Sequence, residues 1–345
     1  MLLTRDEELR FLIACLTAVG ARSEVAEAAA EQMTEADLRG HGSHGLIRLG
    51  MLVDGVEVGV ANPDPVIRRL RDRPTGALLD GDRGFGSYVG REAMRLAIGK
   101  ARESGVSLVG ARNVHYSGFL AYFGEMAARE GFAAIVASAT PAIVHAWGGR
   151  SKVLGTTPLC ISLPGREHPL TLDIATSEAA RGKILRAAKQ GETIPEGWAL
   201  DAAGNPTTDP KEALAGAQSP FGGHKGSGLA FMLSLLTGPL LGVPADVALI
   251  PPTRGGTTSR GDFFFVFDPE MFGPLAGFVE GAEWFAEEIR RSPPAAGHDA
   301  VRLPGDRSHQ TRSERLITGI PIDDSVWNDA CTIAGRVGVT DDIPK

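Results

Sequence analysis

The apolar and polar positions of the first sixty residues follow a helical pattern. A capping box over Thr4–Glu7 precedes apolar residues at helical spacing. Ser23 is placed to cap a second, alanine-rich helix that ends near Gly40, and Ser43 to cap a third that runs to about Val58. The sequence therefore predicts an N-terminal part built of helices.

From about Val66 the pattern changes to short β-rich runs that alternate with helical stretches. The β-rich runs are GALLD, VSLVGA, FAAIVAS, LCISLP, LTLDIA and a late DFFFVFD. The helical stretches are Gly90–Ser104, Tyr122–Glu130, Ser177–Gln190 and an apolar segment, Leu229–Leu241, that we expect to be central. This alternation indicates an α/β fold with a covered sheet. We predict a helical domain of residues 1–70 with 285–345, and an α/β domain of residues 71–284.

Composition narrows the class of protein. The net charge is −7, from 42 acidic and 35 basic residues, whereas a nucleic-acid binder usually carries an excess of positive charge. No apolar run approaches the ~20 residues that a membrane-spanning helix needs. The three cysteines lie far apart, which argues against a disulfide scaffold or a zinc ribbon. We expect a globular cytoplasmic protein without nucleic-acid or membrane partners.

The usual dinucleotide-binding fingerprint is missing. The nearest approach to G-x-G-x-x-G is the run from Gly84 through Gly86 to Gly90, in which three residues separate the last two glycines. Arg181-Gly182-Lys183 resembles the end of a phosphate loop but lacks the hydroxyl residue that should follow.

The densest group of polar residues lies between Asp37 and Arg48. On a helix that begins at Ser43, His44 and Arg48 would share one face. A guanidinium can bind a carboxylate through two parallel hydrogen bonds, and an imidazole can exchange a proton with a neighbouring oxygen. The pair therefore suits a 2-oxo or 2-hydroxy acid. Two other interpretations stay open: a solvated helix start, and a metal pair of His41 with His44.

Three further clusters sit at predicted element ends. Asn113–Gly118 follows a strand, where α/β ligand sites form, but it could be an ordinary turn. Leu172–Lys183 offers a carboxylate, hydroxyls and a helix N-terminus that could hold ribose and phosphate, or an ordinary strand-to-helix turn. Gly222–Gly228 presents backbone amides and a lysine, which could meet a phosphate or extend into solvent.

Taken together and in order, these segments resemble the malate/L-lactate/L-sulfolactate dehydrogenase family of NAD(P)-dependent oxidoreductases, which also includes ureidoglycolate dehydrogenase, diketogulonate reductase and cyclic-imine reductases. The segments that carry the resemblance are RGHGSHGLIRL, the Asn113–Gly118 loop, WGGRSKVLGTTPLCISLPG, LDIATSEAARGK, IPEGWALDAAGNPTTDP, GGHKGSGLAFML and LPGDRS. They cover nearly the whole chain.

The resemblance implies a homodimer with a small helical domain and a larger mixed-sheet α/β domain that is not a Rossmann fold. It implies NAD or NADP as cofactor, with a slight preference for NAD. It places His44 as proton donor or acceptor, with Ser43 and Arg48 at the substrate. The positions that match cofactor contacts are Asp173, Ile174, Ala175, Thr176, His224, Lys225, Gly305, Asp306 and Arg307.

The sequence departs from its relatives at two positions. Tyr116 stands where the family usually has a second histidine, with His115 one place earlier, and Thr157 stands where it usually has asparagine. Tyr116 or His115 could each take the second histidine's place. Trp147 and Phe119 add aromatic bulk to the same segments.

We therefore predict hydride transfer between NAD(P) and C2 of a small 2-hydroxy or 2-oxo acid. One alternative is a cyclic 2-imino acid reductase of the same family. A second is a dinucleotide-binding protein without catalytic activity, and a metal-dependent hydrolase is weaker than either.

Overall fold

The computed structural model describes residues 1–244, 255–256, 260–340 and 342–344. The helices are α1 (Arg5–Ala18), α2 (Ser23–Leu38), α3 (Leu49–Glu57), α4 (Gly86–Ser104), α5 (Ala121–Arg129), α6 (Arg181–Gln190), α7 (Pro210–Ala215), α8 (His224–Thr237), α9 (Leu275–Arg291), α10 (Asp306–Thr318) and α11 (Asp324–Arg336). The strands are β1 (Leu2–Leu3), β2 (Arg68–Arg73), β3 (Gly76–Asp80), β4 (Val106–Val114), β5 (Ala133–Ser138), β6 (Val144–His145), β7 (Lys152–Leu154), β8 (Leu159–Leu163), β9 (Leu170–Ile174), β10 (Ala199–Leu200), β11 (Ala217–Gln218), β12 (Arg260–Phe267) and β13 (Ile320–Pro321).

The central sheet has seven strands in the order β2-β3-β4-β12-β5-β8-β9. Only β3 and β4 run parallel, and the other neighbours are antiparallel. A doubly wound nucleotide-binding domain has a mostly parallel sheet. The predicted mixed α/β class, distinct from a Rossmann fold, is therefore confirmed. A four-stranded sheet, β10-β11-β6-β7, and the β1–β13 pair complete the strands of the described residues.

The helical start follows the predicted pattern with two corrections. The capping box of Thr4 and Glu7 at α1 is confirmed. Ser23 is not the cap of α2: Arg22 occupies that position, and the Ser23 hydroxyl donates to Glu27 instead. The third helix does not begin at Ser43, because two 3-10 turns precede α3.

The C-terminal elements pack against the N-terminal helices. β13 pairs with β1, α11 packs against α3, and α10 packs against α2. These contacts agree with a tail that rejoins the N-terminal part, and the domain boundaries themselves stay a prediction.

Helix α8 differs from its expected central position. Ala230 and Leu233 are buried, but Phe231 and Met232 are 53 % and 56 % exposed. The helix is apolar around its circumference and therefore presents an apolar face to its surroundings. The late strand, β12, is the one at the centre, between β4 and β5.

Candidate active site

The segment that carries His44 and Arg48 is a pair of 3-10 turns, Gly42–His44 and Leu46–Arg48, joined at Gly45. The extended backbone of Gly45 breaks any helix that would begin at Ser43. The interpretation that His44 and Arg48 share one face of a continuous α-helix is therefore wrong.

Asp37, near the end of α2, contacts this segment through its carboxylate. Its Oδ2 accepts a hydrogen bond of 2.6 Å from the backbone N–H of Leu46, at the start of the second turn. A Cβ on Gly45 would overlap the same carboxylate. A glycine is therefore required at this position for the segment to approach Asp37 closely.

Tyr116 reaches the same segment from the loop after β4. Its hydroxyl lies 2.5 Å from Nδ1 of His44, and the two ring planes are nearly parallel, at 10°, with their centres 6.1 Å apart. The guanidinium carbon of Arg48 lies 5.2 Å from the centre of the Tyr116 ring, a cation–π contact. Arg48 Nε donates to the carbonyl of Ser43 at 2.6 Å. His44, Arg48 and Tyr116 are thus one cluster, with Ser43 beside it.

This cluster is electropositive. Burial, as the largest cause, together with the neighbouring Arg48 and His41, lowers the pKa of His44 to about 3. Burial also lowers the pKa of His41, with Arg39 and Arg307 as the next causes. His44 is therefore a neutral imidazole near pH 7, in a potential that favours an anion.

His115 does not join this cluster. Its side chain is completely buried, and its Nε2 donates to the carbonyl of Gly255 at 2.7 Å. Its ring packs against Phe85. Of the two candidates for the second histidine's place, it is Tyr116 that meets His44.

The predicted cofactor segment Asp173–Thr176 lies at the end of β9 and beyond it. Asp173 Oδ2 accepts a hydrogen bond of 2.7 Å from the N–H of Ala121, at the start of α5. Packing around its carboxyl group raises the pKa of Asp173 to about 6, although the residue as a whole is exposed and hydrogen bonds from the backbone of Ala121 and Leu120 oppose the shift. Thr176 is buried and donates to the carbonyl of Thr156. Ile174 and Ala175 are partly exposed beside it.

The glycine-rich start of α8 lies next to that segment. The backbone N–H of Phe221 donates to the carbonyl of Thr176, which fixes the loop in place. His224 and Lys225 follow and are exposed, with the His224 ring 6.2 Å from that of Trp147. No contact of these two residues with His44 is found in the described part of the chain.

The start of α10 approaches from the other side. Gly305 has a φ of +92°, and a Cβ there would lie 3.4 Å from the carbonyl of Thr171 in β9. Asp306 is already engaged by Arg290 at 2.9 Å and by the N–H of Leu303. Arg307 is exposed, and the next residue, Ser308, lies 3.5 Å from His41. This turn therefore faces both β9 and the histidine segment.

Two of the remaining aromatic and polar positions are buried. Phe119 is buried, within 5.9 Å of the His41 ring and 5.8 Å of the Arg39 guanidinium carbon. Thr157 is buried beside Ser234.

Sequence patterns missed a buried ion pair beneath this region. Arg39 Nη1 lies 2.5 Å from Glu125 Oε1, and Arg39 Nε donates to Glu35. Glu125 belongs to the helical pattern of α5, which gives no sign that its partner lies on α2. The adjoining cavity of about 340 Å³ is lined by Arg5, Glu31, Thr34, Glu35, Arg39, Tyr122, Arg129, His168, His309, Arg312 and Ser313.

A larger cavity, about 750 Å³, shares His168, His309 and Ser313 with the first and borders Asp306 and Trp284. Its lining includes the acidic residues Glu167, Glu280, Glu283, Glu287 and Asp306, so this cavity does not favour a phosphate-bearing ligand. The start of α8, where Gly222 and Gly223 precede the exposed His224 and Lys225, suits a phosphate-bearing ligand. The donors present therefore fit a dinucleotide.

The described residues also bear on membrane and metal partners. No helix among them is long and apolar enough to cross a membrane. No group of three or more His, Cys, Asp or Glu side chains in the same residues is arranged to hold a metal ion.

Comparisons with known proteins cover almost the entire chain. The sequence model of the malate/L-lactate dehydrogenase family matches residues 3–330. The chain is 36 % identical to L-sulfolactate dehydrogenase from Methanocaldococcus jannaschii over 98 % of both chains, and a solved structure of sulfolactate dehydrogenase from that organism superposes with a TM-score of 0.91 over 99 % of this chain and 98 % of the other. It is 37 % identical to malate dehydrogenase from Pyrococcus horikoshii, over 97 % of this chain and 95 % of that protein. The structure of delta1-piperideine-2-carboxylate reductase from Pseudomonas syringae is 28 % identical and superposes with a TM-score of 0.87, over 97 % of this chain and all of the other.

Proposed function

This chain belongs to the malate/L-lactate dehydrogenase family, and from that premise we propose that it transfers a hydride between NAD(P) and C2 of a small 2-hydroxy or 2-oxo acid. In the oxidative direction the substrate gives up a hydride and a proton, and in the reductive direction it gains both. The protein's own part is to orient the acid and to exchange the proton.

The observation that carries this proposal is the state of Arg48. Its Nε is held by the Ser43 carbonyl, but among the described residues Arg48 pairs with no carboxylate, unlike Arg39, which binds Glu35 and Glu125. A half-buried guanidinium of this kind favours an anion, and a carboxylate matches its planar geometry. The substrate carboxylate would then lie beside Tyr116 and His44.

His44 would exchange the proton, and Tyr116 would set which ring nitrogen carries it. A tyrosine hydroxyl can donate or accept. When Tyr116 accepts from Nδ1–H, Nε2 has a free lone pair and acts as base. In the reductive direction His44 starts as the imidazolium: its Nδ1–H donates to Tyr116, its Nε2–H gives the proton to the substrate oxygen, and a neutral imidazole remains.

Substrate binding should also change the charge of His44. The positive charge of Arg48 helps to lower the pKa of His44, and a carboxylate bound to Arg48 would offset that charge. The imidazole would then take up a proton more readily in the complex than in the free protein.

The cofactor would be held by the start of α8 with His224 and Lys225, by the segment Asp173–Thr176, and by the turn Gly305–Arg307. When bound, the nicotinamide supplies or accepts the hydride. Lys225 offers a positive charge for a phosphate, and Asp173 offers an oxygen for a hydroxyl group. We keep both NAD and NADP as candidates, with a slight preference for NAD.

The direct test is a spectroscopic assay of NADH and NADPH oxidation with pyruvate, oxaloacetate, sulfopyruvate and other 2-oxo acids. We expect turnover with at least one acid, and the reverse reaction with its 2-hydroxy acid. Cofactor binding without turnover of any acid or imine would support a non-catalytic dinucleotide-binding protein instead.

A cyclic 2-imino acid is the second candidate substrate. The Tyr116 ring, joined to His44 through its hydroxyl, offers an aromatic surface that a substrate ring could contact, and one structural relative is a delta1-piperideine-2-carboxylate reductase. Including this cyclic imine in the same assay separates the two substrate classes.

A further inference from the structure

Two buried carboxyl groups meet beneath the histidine segment. Glu8 of α1 is 0 % exposed and Asp37 of α2 is 4 % exposed. Neither carboxyl oxygen of Glu8 receives an N–H or a hydroxyl from the residues that the structure describes, and the carboxyl group of Asp37 lies near enough to interact with it. Two carboxyl groups can share a hydrogen bond only if one of them carries a proton.

Asp37 is the member of this pair that touches the active-site segment. Its Oδ2 accepts from Leu46 N–H, and its carboxylate lies directly against Gly45. Gly45 and Leu46 stand between His44 and Arg48 in the chain. Any movement of the Asp37 carboxylate would therefore displace both residues together.

We propose that Asp37 is a positioning residue for His44 and Arg48, and that a protonated Glu8 holds Asp37 in place by donating to its carboxylate. This inference rests on the proposed function of His44 and Arg48. The Leu46 N–H then finds a full carboxylate as acceptor, which makes a stronger hydrogen bond than a neutral one.

The charges around the pair agree with one retained proton. Burial raises the pKa of Glu8 well above its usual value, and the neighbouring Asp37 raises it further. Burial also raises the pKa of Asp37, opposed by the hydrogen bonds from Glu8 and Leu46. Arg315 of α10 places a positive charge near both carboxyl groups and also donates to the Asp37 carbonyl. In a buried place, one ionised carboxylate beside one arginine costs less free energy than two ionised carboxylates beside the same arginine.

The test compares Glu8→Gln, Glu8→Leu and Asp37→Asn. Glutamine keeps a hydrogen-bond donor at position 8, so Glu8→Gln should keep kcat/KM within twofold of wild type. Glu8→Leu removes the donor, and Asp37→Asn weakens the acceptor for Leu46. Both should lower kcat/KM about 10- to 100-fold, because displacing reacting groups by about 1 Å has effects of that size.

Asp54→Asn, which removes a buried partner of Arg336, is the control for loss of a buried carboxylate and should leave kcat/KM unchanged.

Amide hydrogen exchange over residues 42–48 provides a readout that does not need turnover. Exchange should be faster in Asp37→Asn and Glu8→Leu, unchanged in Glu8→Gln, and unchanged in the control. The proposal is overturned if Asp37→Asn keeps both wild-type exchange and wild-type kcat/KM, or if Glu8→Gln behaves like Glu8→Leu. If wild type turns over no acid or imine, the function proposed above fails while the exchange data still decide whether the pair holds this segment.

Discussion

The hydroxyl of Tyr116 and Nδ1 of His44 lie 2.5 Å apart although seventy-two positions separate the two residues in the chain. The contact joins the loop after β4 to the 3-10 turns before α3. It gives His44 a partner that can either donate or accept, whereas a second histidine in that place could also carry a charge.

Tyr116→Phe should lower kcat by about 10-fold or more, because the ring and its contact with Arg48 remain while the group that orients His44 is lost. The KM for the cofactor should change little. His115→Ala is the matched comparison: it should lower the unfolding temperature, since His115 is completely buried and bonded to Gly255, but affect kcat less. If Tyr116→Phe leaves kcat unchanged while His115→Ala lowers it, the assignment of the two residues is reversed.

Tyr116→His should shift substrate preference toward compact 2-oxo acids, measured as kcat/KM for pyruvate against a cyclic imine.

Arg48→Lys should raise the KM for the acid by about 10- to 100-fold, since one charged hydrogen bond contributes roughly 1.5–3 kcal/mol and lysine cannot bind a carboxylate through two parallel bonds. The KM for the cofactor should stay nearly constant. Steady-state kinetics with each substrate varied in turn measures both. Arg95→Lys, at an exposed position on α4, serves as the control. Equal effects on the two KM values would assign Arg48 a structural role.

His44→Asn should lower kcat by about 10²–10⁴, the usual contribution of a general acid–base group, without weakening cofactor binding.

The same substitution should also change how the free energy of unfolding depends on pH. The pKa of His44 falls from its ordinary value near 6.5 to about 3 in the folded protein, so the unfolded chain takes up a proton first as the pH falls. Wild type should therefore lose stability from about pH 6.5 down toward pH 3, and His44→Asn should lose less. Urea unfolding of both proteins at pH 7 and pH 5 measures this difference, and identical losses would contradict the low pKa.

Gly45→Ala should lower kcat/KM by about 10²-fold, because the added Cβ overlaps the Asp37 carboxylate and must displace His44 and Arg48. Gly99→Ala on α4 is the matched control. Nothing lies within 4 Å of a Cβ at that position, so the substitution should stabilise the fold by about 0.5–1 kcal/mol. Kinetics and thermal unfolding measure both variants. If the close approach of Gly45 to Asp37 is required, Gly45→Ala loses activity while Gly99→Ala keeps it and unfolds at a higher temperature.

The solution mass should be near twice 36.3 kDa, because α8 presents Phe231 and Met232 as an exposed apolar face and such faces mark interaction surfaces. Phe231→Glu combined with Met232→Glu should shift the mass toward that of a monomer. Light scattering over a range of micromolar concentrations measures this. A monomeric wild type would contradict the expected homodimer.

The sequence was sufficient for elements that depend on local patterns. The capping box at Thr4, the β-rich runs and the polar group around His44 all follow from neighbouring residues. The position of Glu8 against Asp37 could not be predicted in the same way, since Glu8 is one position in an ordinary helical pattern until α1 packs on α2. The 3-10 turns around Gly45 also depend on the distant carboxylate of Asp37, which competes with the helix that the local pattern favours.

The central place of β12 has a consequence for how the chain reaches its folded state. β4 and β5 are finished by residue 138, but the strand that joins them begins only at Arg260. Closing a loop of that length costs entropy before any pairing compensates for it, which slows folding. During synthesis, the strand edges of β4 and β5 that will pair with β12 stay unpaired until more than a hundred further residues have emerged. We expect nascent chains that stop before β12 to aggregate or to need a chaperone, and the full-length chain to close its sheet in one late step.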